Sequence, residues 1–299
     1  MPHFKLTLAY DGTPYHGWQI QPGLATVQGT LADAIHRITR ESVLPQGSGR
    51  TDTGVHALAQ VASVSITAPI PADRFHRALN HCLPNSIRIV SVEEVPEAFH
   101  ARHSAISKTY EYRIFPLRRG TKAGVPHSSR GTLRDEWDEQ CAPAAIACSP
   151  FLAPFVWACP WPLSLDALNC AAARVLGTHD FTTFAASPAS PEDAPSSYVR
   201  SIAHSQWHKE GELLIYRVAA NGFLHHMVRN FVGTFVQCGA GRRDPASIPA
   251  LLAARNRALC GPTAPPTGLF LVSVDYPPME SLTARNPAAT ENEAVATEN

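Results

Sequence analysis

Apolar side chains recur at every second position in one set of segments and at helical spacing in another, and the two periods interleave along the chain. Residues 3–12 alternate Phe4, Leu6, Leu8 and Tyr10 and then end in Asp-Gly, the pattern of a half-buried strand closed by a turn. In residues 26–41, Val27, Leu31, Ala34, Ile35 and Ile38 share one helical face behind Thr26, a residue type that caps helix N-termini. Strands are expected over 59–66, 86–95 and 107–115, and a helix from Pro71. Beyond residue 163 the theme returns. A helix over 164–177 is stopped by Gly177, and a hairpin over 198–221 turns at Glu-Gly. A helix over 223–241 carries the apolar stripe Leu224, Met227, Val228, Phe231 and Phe235, with Arg229 off it; a short helix over 247–255 and a strand over 268–276 follow. Strands and helices mixed in this way predict an α+β fold of two units joined through their sheets.

The boundaries follow composition. Residues 1–115 form an N-terminal α+β unit. Residues 116–163, rich in Gly, Pro, Ser and Ala, read as a connector or insertion. Residues 164–278 form a C-terminal α+β unit, interrupted by a polar, Pro-rich loop at 187–197 that is expected to be mobile. Residues 279–299 read as a disordered acidic tail.

Composition excludes several classes. With 44% hydrophobic and 17% charged residues the chain is globular in balance, and no run of about 18 apolar residues offers a membrane span. The N-terminal residues lack the features of a secretory signal, so a cytoplasmic location is expected. The 7 cysteines have no tight pairs and read as mostly buried thiols in a reducing compartment. Among the 14 histidines, His225 and His226 are adjacent; on a helix they would diverge by about 100°, and no metal site is expected. A formal net charge of +0 speaks against a nucleic-acid partner, but the average hides an asymmetry. The tail sets Glu280, Glu291, Glu293 and Glu298 against Arg285, whereas residues 99–130 set Arg102, Lys108, Arg113, Arg118, Arg119, Lys122 and Arg130 against Glu111 alone. Such a run is a solvated face or a strip for a polyanion.

The densest chemistry lies at 47–62, "GSGRTDTGVHALAQVA". Asp-Thr-Gly is the tripeptide of aspartic proteases, but those enzymes need two carboxylates sharing a proton, and this chain has one such tripeptide. Arg50, two residues before Asp52, would hold the carboxylate ionised, which suits a nucleophile better than a shared-proton pair. From these residues alone Asp52 is either a turn residue bonded to backbone N–H groups or a charged catalytic group.

"GRTDTGVHALAQV" resembles the signature of the tRNA pseudouridine synthase A family. Four other stretches resemble that family in the same order: "LAYDGTPYHGWQIQP" with "TVQGTLADAI", "FHARHSAISKTYEYRI", "NGFLHHMVRNFVGTFVQCGAGR" and "GLFLVSVDYP". The resemblance implies two α/β units with mixed, mostly antiparallel sheets around a central cleft. It implies an isomerase that detaches uracil from its ribose, turns it and rejoins it through C5, at positions 38 to 40 of the tRNA anticodon stem-loop, with no cofactor and no metal. It makes Asp52 the nucleophile, Arg229 its ion-pair partner, and Arg50 a residue that displaces the target base. Tyr110 would stack on uracil, with Tyr112 expected to face the other side of its strand. Leu269, with Leu271, would wall the base. Phe99, His100, Ala101, Arg102 and His103 would contact RNA, and the working form would be a homodimer holding the anticodon arm of tRNA. The alternatives are a pseudouridine synthase of other RNA specificity and a non-catalytic RNA-binding protein; for the latter no Gly- and aromatic-rich strand motif is present.

Overall fold

A computed structural model describes residues 1–117, 148–186 and 195–283. The N-terminal elements are β1 (His3–Tyr10), α1 (Val27–Thr39), β2 (Gln46–Gly47), β3 (His56–Ser65), α2 (Ala72–Cys82), β4 (Ile87–Glu94) and β5 (Ser107–Pro116). They are followed by β6 (Trp157–Cys159), α3 (Leu165–Ala173), β7 (Gly177–Asp180), β8 (Val199–Glu210), β9 (Leu213–Ala220), α4 (Met227–Gly239), α5 (Ile248–Ala254), β10 (Leu269–Asp275) and α6 (Glu280–Thr283).

Among the described residues, ten strands form one mixed sheet. Its main path runs β4-β1-β3-β10-β5-β9-β8-β7, with β2 on β3 and β6 on β5. The pairs β3–β10 and β5–β6 are parallel and the rest antiparallel. The last long strand, β10, lies between β3 and β5, so Leu271 faces Tyr110 and Leu269 faces Tyr112. This insertion places a strand from the end of the described chain beside β3, the strand after the Asp52 loop, and next to β5, which leads on to β9, β8 and β7.

The alternation in β1 becomes alternating burial: Phe4, Leu6, Leu8 and Tyr10 face the core and their neighbours are part-exposed. Phe75 of α2 closes on Phe4 with ring centroids 5.3 Å apart. In α1, Thr26 caps the helix by accepting a bond from the Gly29 amide. Each such cap is worth about 1 kcal/mol.

Helix α4 is enclosed along most of its length, and Phe231 and Phe235 stack with centroids 5.7 Å apart. A methyl group on Gly233 would lie 1.7 Å from the Pro262 carbonyl oxygen, so only glycine lets the 261–264 chain lie against the helix. Buried Asn230 donates to the Phe184 carbonyl and accepts from Arg257 and Thr263, which fixes the rotation of α4 about its axis. That rotation aims Arg229, one residue earlier, at the Asp52 loop.

Several expectations need correction. The helix expected over 223–241 begins only at Met227, because His226 has a left-handed backbone with φ of 59°. The helix expected to reach Gly177 ends at Ala173; Gly177, with φ of 93°, opens β7 instead. Strands β2, β6 and β7 carry two to four residues each, too few to show a period. Tyr112 shares a face with Tyr110, since side chains two apart in a strand point the same way; Glu111 takes the other face, bonded to Arg113 and Arg217. Of the described cysteines only Cys159 and Cys238 are buried, and Cys170 is exposed. The connector core at 118–147 with Arg118, Arg119, Lys122, Arg130 and Cys141, most of the 187–197 loop, and the tail from residue 284 lie outside the described residues.

Candidate active site

The site is built on the loop between β2 and β3. Its start is tied to the sheet: buried Ser48 donates to Gln60 Oε1 at 2.6 Å, and Gln60 donates back to the Gly49 carbonyl at 3.0 Å. Its middle is tied to the segment after β1. The Trp18 amide donates to the Thr51 carbonyl, and Thr51 Oγ1 lies 2.8 Å from the Tyr10 hydroxyl. Gly17 makes this approach possible, since it has φ of 84° and a methyl group there would lie 2.5 Å from the Thr51 oxygen. Asp52 closes the loop by accepting the Val55 amide on its backbone carbonyl. A loop held at both ends points the carboxylate without needing contacts to the carboxylate itself.

Asp52 is partly buried, and its oxygens have unlike partners. Oδ2 accepts from Arg229 Nη1 at 2.8 Å and lies 3.2 Å from His226 Nε2. Oδ1 lies 3.5 Å from His225 Nε2. Arg229 is held in turn by donating Nε–H to the Ala264 carbonyl at 2.8 Å. Burial would push the Asp52 carboxyl upward, but His225, His226 and Arg229 together outweigh it and hold it below the ordinary range. The carboxylate is therefore ionised at neutral pH.

The two imidazoles respond differently. His225, more exposed, is raised by the Asp52 carboxylate beside it; His226 is lowered, first by burial. Their ring centroids lie 3.9 Å apart. Asp52, His225 and His226 each place one donor atom within 4.8 Å of the others, a set chemically able to hold a cation, with Arg229 already supplying positive charge to the same carboxylate.

Tyr110 lies under this loop, buried, with the Phe223 ring edge-on at 5.1 Å. Burial first, then Tyr10 and the charge on Asp52, raise its phenol well above its usual value, so it stays protonated. Leu271 faces Tyr110 across the strand pair, and buried Leu269 faces Tyr112 one pair further on. Arg50 is exposed, and its charge is felt at His225, so Arg50 and Asp52 serve the same space.

Lys108, which sequence reasoning placed only in a basic run, precedes Tyr110 by two residues on the same strand face. It donates to the Ser48 carbonyl at 2.5 Å. Burial, then Arg102 and Arg200, push its ammonium down to about 8. The two-residue step from Tyr110 was a signal that could have found it. His225 and His226 had none, because helical spacing sends them apart, whereas the left-handed turn at His226 brings both rings to one carboxylate.

Segment 99–103 divides. Phe99 and Ala101 are buried in a small second core cluster with Val61, Val95 and Leu282. The Tyr276 hydroxyl donates to the Ala101 carbonyl. Their side chains are enclosed in that cluster, so these two residues of the segment present no side-chain surface here. Arg102 and His103 are exposed, and His100 is half-buried, accepting the Arg102 amide on Nδ1.

An ionised, guanidinium-paired carboxylate on a pinned loop, with the charge of Arg50 felt at His225 and those of Arg102 and Arg200 felt at Lys108, defines a class: a basic site chemically able to present a charged carboxylate to an anionic substrate. A family model described as tRNA pseudouridine synthase matches residues 7–104 and 171–277, which include the Asp52 loop, His225, His226, Arg229 and β10 but not β5 with Lys108 and Tyr110. The chain is 44% identical over 277 residues to the tRNA pseudouridine synthase A of Solibacter usitatus, covering 92% of this chain and 100% of that relative. It is 41% identical over 280 residues to that of Rhodopseudomonas palustris strain BisB5, and 41% over 278 residues to that of Moorella thermoacetica, with the same coverage in both. The chain belongs to the tRNA pseudouridine synthase family.

Proposed function

We propose that this protein isomerises uridine to pseudouridine in tRNA, at positions 38 to 40 of the anticodon stem-loop, as a cytoplasmic homodimer with Asp52 as nucleophile. The observation that carries this reading is the Asp52–Arg229 ion pair, which keeps a nucleophilic carboxylate charged in a partly buried site. Asp52 attacks the target nucleoside at uracil C6 or ribose C1′. The C1′–N1 bond breaks, the base turns and a C1′–C5 bond forms; the bond to Asp52 breaks again, by displacement at C1′ when C5 attacks or by elimination from C6, while C5 loses its proton and N1 gains one. Substrate and product are isomers, so the net reaction consumes no cofactor.

The flanking residues fit these steps. Tyr110 and Leu271 offer a flat, dry wall for the turned base, with Leu269 behind it. A stacked base costs a few kcal/mol to extrude. Phosphate contacts from Arg50, Arg102, Lys108 and Arg200 offset that cost and set the register of the RNA.

The test is release of tritium from C5-labelled uridine in an anticodon stem-loop. The wild type is expected to release it and Asp52→Ala to release none while still binding the RNA. Equal release by Asp52→Ala would remove the nucleophile. Release from another RNA but from no anticodon stem-loop would move the specificity, and no release from any RNA would leave a binding protein.

A further inference from the structure

The two oxygens of Asp52 are not equivalent. Oδ2 is committed: Arg229 donates to it at 2.8 Å and His226 Nε2 lies 3.2 Å away. Oδ1 lies 3.5 Å from His225 Nε2, and the His225 side chain is 59% exposed. The contact depends on an unusual backbone. His226, a non-glycine residue, sits at φ of 59°, a conformation that costs on the order of 1 kcal/mol or more and persists where the surroundings enforce it. Here the His225 carbonyl accepts the Ala186 amide at 2.9 Å, and the Asn230 amide donates to the His226 carbonyl at 2.9 Å, so the turn is held from both sides.

We propose that His225 gates the nucleophile: its side chain covers Oδ1 in the RNA-free protein, the extruded base displaces it, and Oδ1 is the oxygen that attacks. The inference rests on the isomerase reading above. His225 is a positioning residue, acting through Asp52.

Among the described residues, the charged and titratable groups felt at His225 are Asp52, His226, Arg229 and Arg50. Asp52 raises the His225 imidazole, whereas burial and then Arg229 and Arg50 lower it, and the net direction is upward. Below that raised value His225 is charged and holds Oδ1; above it the imidazole is neutral and the attraction to the carboxylate is lost. Access of the base to Oδ1 therefore improves as pH rises through the His225 titration.

The experiment compares wild type with His225→Gln, which keeps a donor but cannot titrate, and with His225→Ser as a second, smaller replacement. Tritium release from the stem-loop is followed under single turnover with limiting RNA. Salt of about 0.3 M mutes attraction between the imidazolium and phosphates. The wild-type second-order rate constant is expected to fall about tenfold per pH unit on the acid side of the His225 titration. Both variants are expected to lose that dependence and to exceed the wild type by at least about tenfold near pH 5.5, which is one unit below the ordinary histidine value and further below the raised one. Variants no faster than wild type at acid pH, or with the acid limb intact, would overturn the gate. Absence of release by the wild type at every pH would instead overturn the isomerase reading, so the two failures are distinguishable.

Discussion

The guanidinium of Arg229 donates to Asp52 Oδ2 at 2.8 Å across a sequence separation of 177 residues. Neither group is fully enclosed: the Arg229 side chain is 13% exposed and that of Asp52 22%. The pair belongs to the site and not to the core, and its removal should show in chemistry before stability.

Arg229→Met is expected to bind the stem-loop RNA but to turn over about 100- to 1,000-fold more slowly, the range for losing one preorganised charge partner in an active site. The guanidinium lowers the Asp52 carboxyl, so without it burial acts with less opposition and the carboxyl titrates higher. The acid limb of the saturated rate should move to higher pH. A single-turnover pH profile checks this, and an unmoved limb would separate Arg229 from the charge state of Asp52.

Gly17→Ala should disturb the site from outside. The added methyl group would meet the Thr51 carbonyl oxygen at 2.5 Å and the Asp52 carbonyl carbon at 3.2 Å, at a backbone φ of 84°. A stability loss of about 1–3 kcal/mol is expected from the strained conformation. Turnover should fall further than RNA affinity, because the loop shifts Asp52 against Arg229. Urea melts and paired binding and rate measurements would show the split.

Within the 99–103 segment, Arg102→Ala and Phe99→Leu should part company. Arg102 is exposed, and its loss should lower the salt dependence of RNA binding by about one phosphate contact. Phe99 is 1% exposed, and trimming it should cost about 1 kcal/mol of stability with the salt slope unchanged. Filter binding over a salt series and thermal melts decide the outcome; a changed salt slope in Phe99→Leu would return that residue to the RNA surface.

On the other face of β5, Glu111 bonds Arg217 at 2.6 Å and Arg113 at 2.8 Å. Burial would raise its carboxyl, but the two guanidinium groups lower it overall. Glu111→Leu is expected to cost about 1–3 kcal/mol at neutral pH, discounted because both arginines keep access to water. A carboxyl lowered in the folded state stabilises above its unfolded value and loses that effect as pH falls through its folded value. The gap between wild type and variant should therefore narrow below about pH 4, as denaturant titrations at neutral and acid pH would show.

The local elements were legible because their causes are local. The period of two in Phe4, Leu6, Leu8 and Tyr10 follows from strand geometry, and the Thr26 cap from an unpaired amide three residues away. The left-handed turn at His226 was not legible. It is a histidine with no glycine or asparagine to announce it, held by bonds to Ala186 and Asn230. Its consequence, two imidazoles on one carboxylate, inverted the expectation that these rings diverge. The burial of Phe99 and Ala101 was equally hidden, since besides nearby Val95 it depends on Val61 and Leu282 arriving from elsewhere in the chain.

The sequence by itself determined the mixture of strands and helices, the basic run, the loop that carries Asp52 and a resemblance that named its chemistry. Periodicity, capping and turn formation act over a few residues, so a linear string records them. Tertiary structure alone decided that β10 enters between β3 and β5, that Lys108 reaches Ser48, and that Oδ1 and Oδ2 of Asp52 have different partners. Those facts depend on which distant segments share a sheet and on how buried Asn230 fixes the rotation of α4. Packing of that kind sums many weak contacts between residues far apart in the chain, and no short pattern encodes the sum.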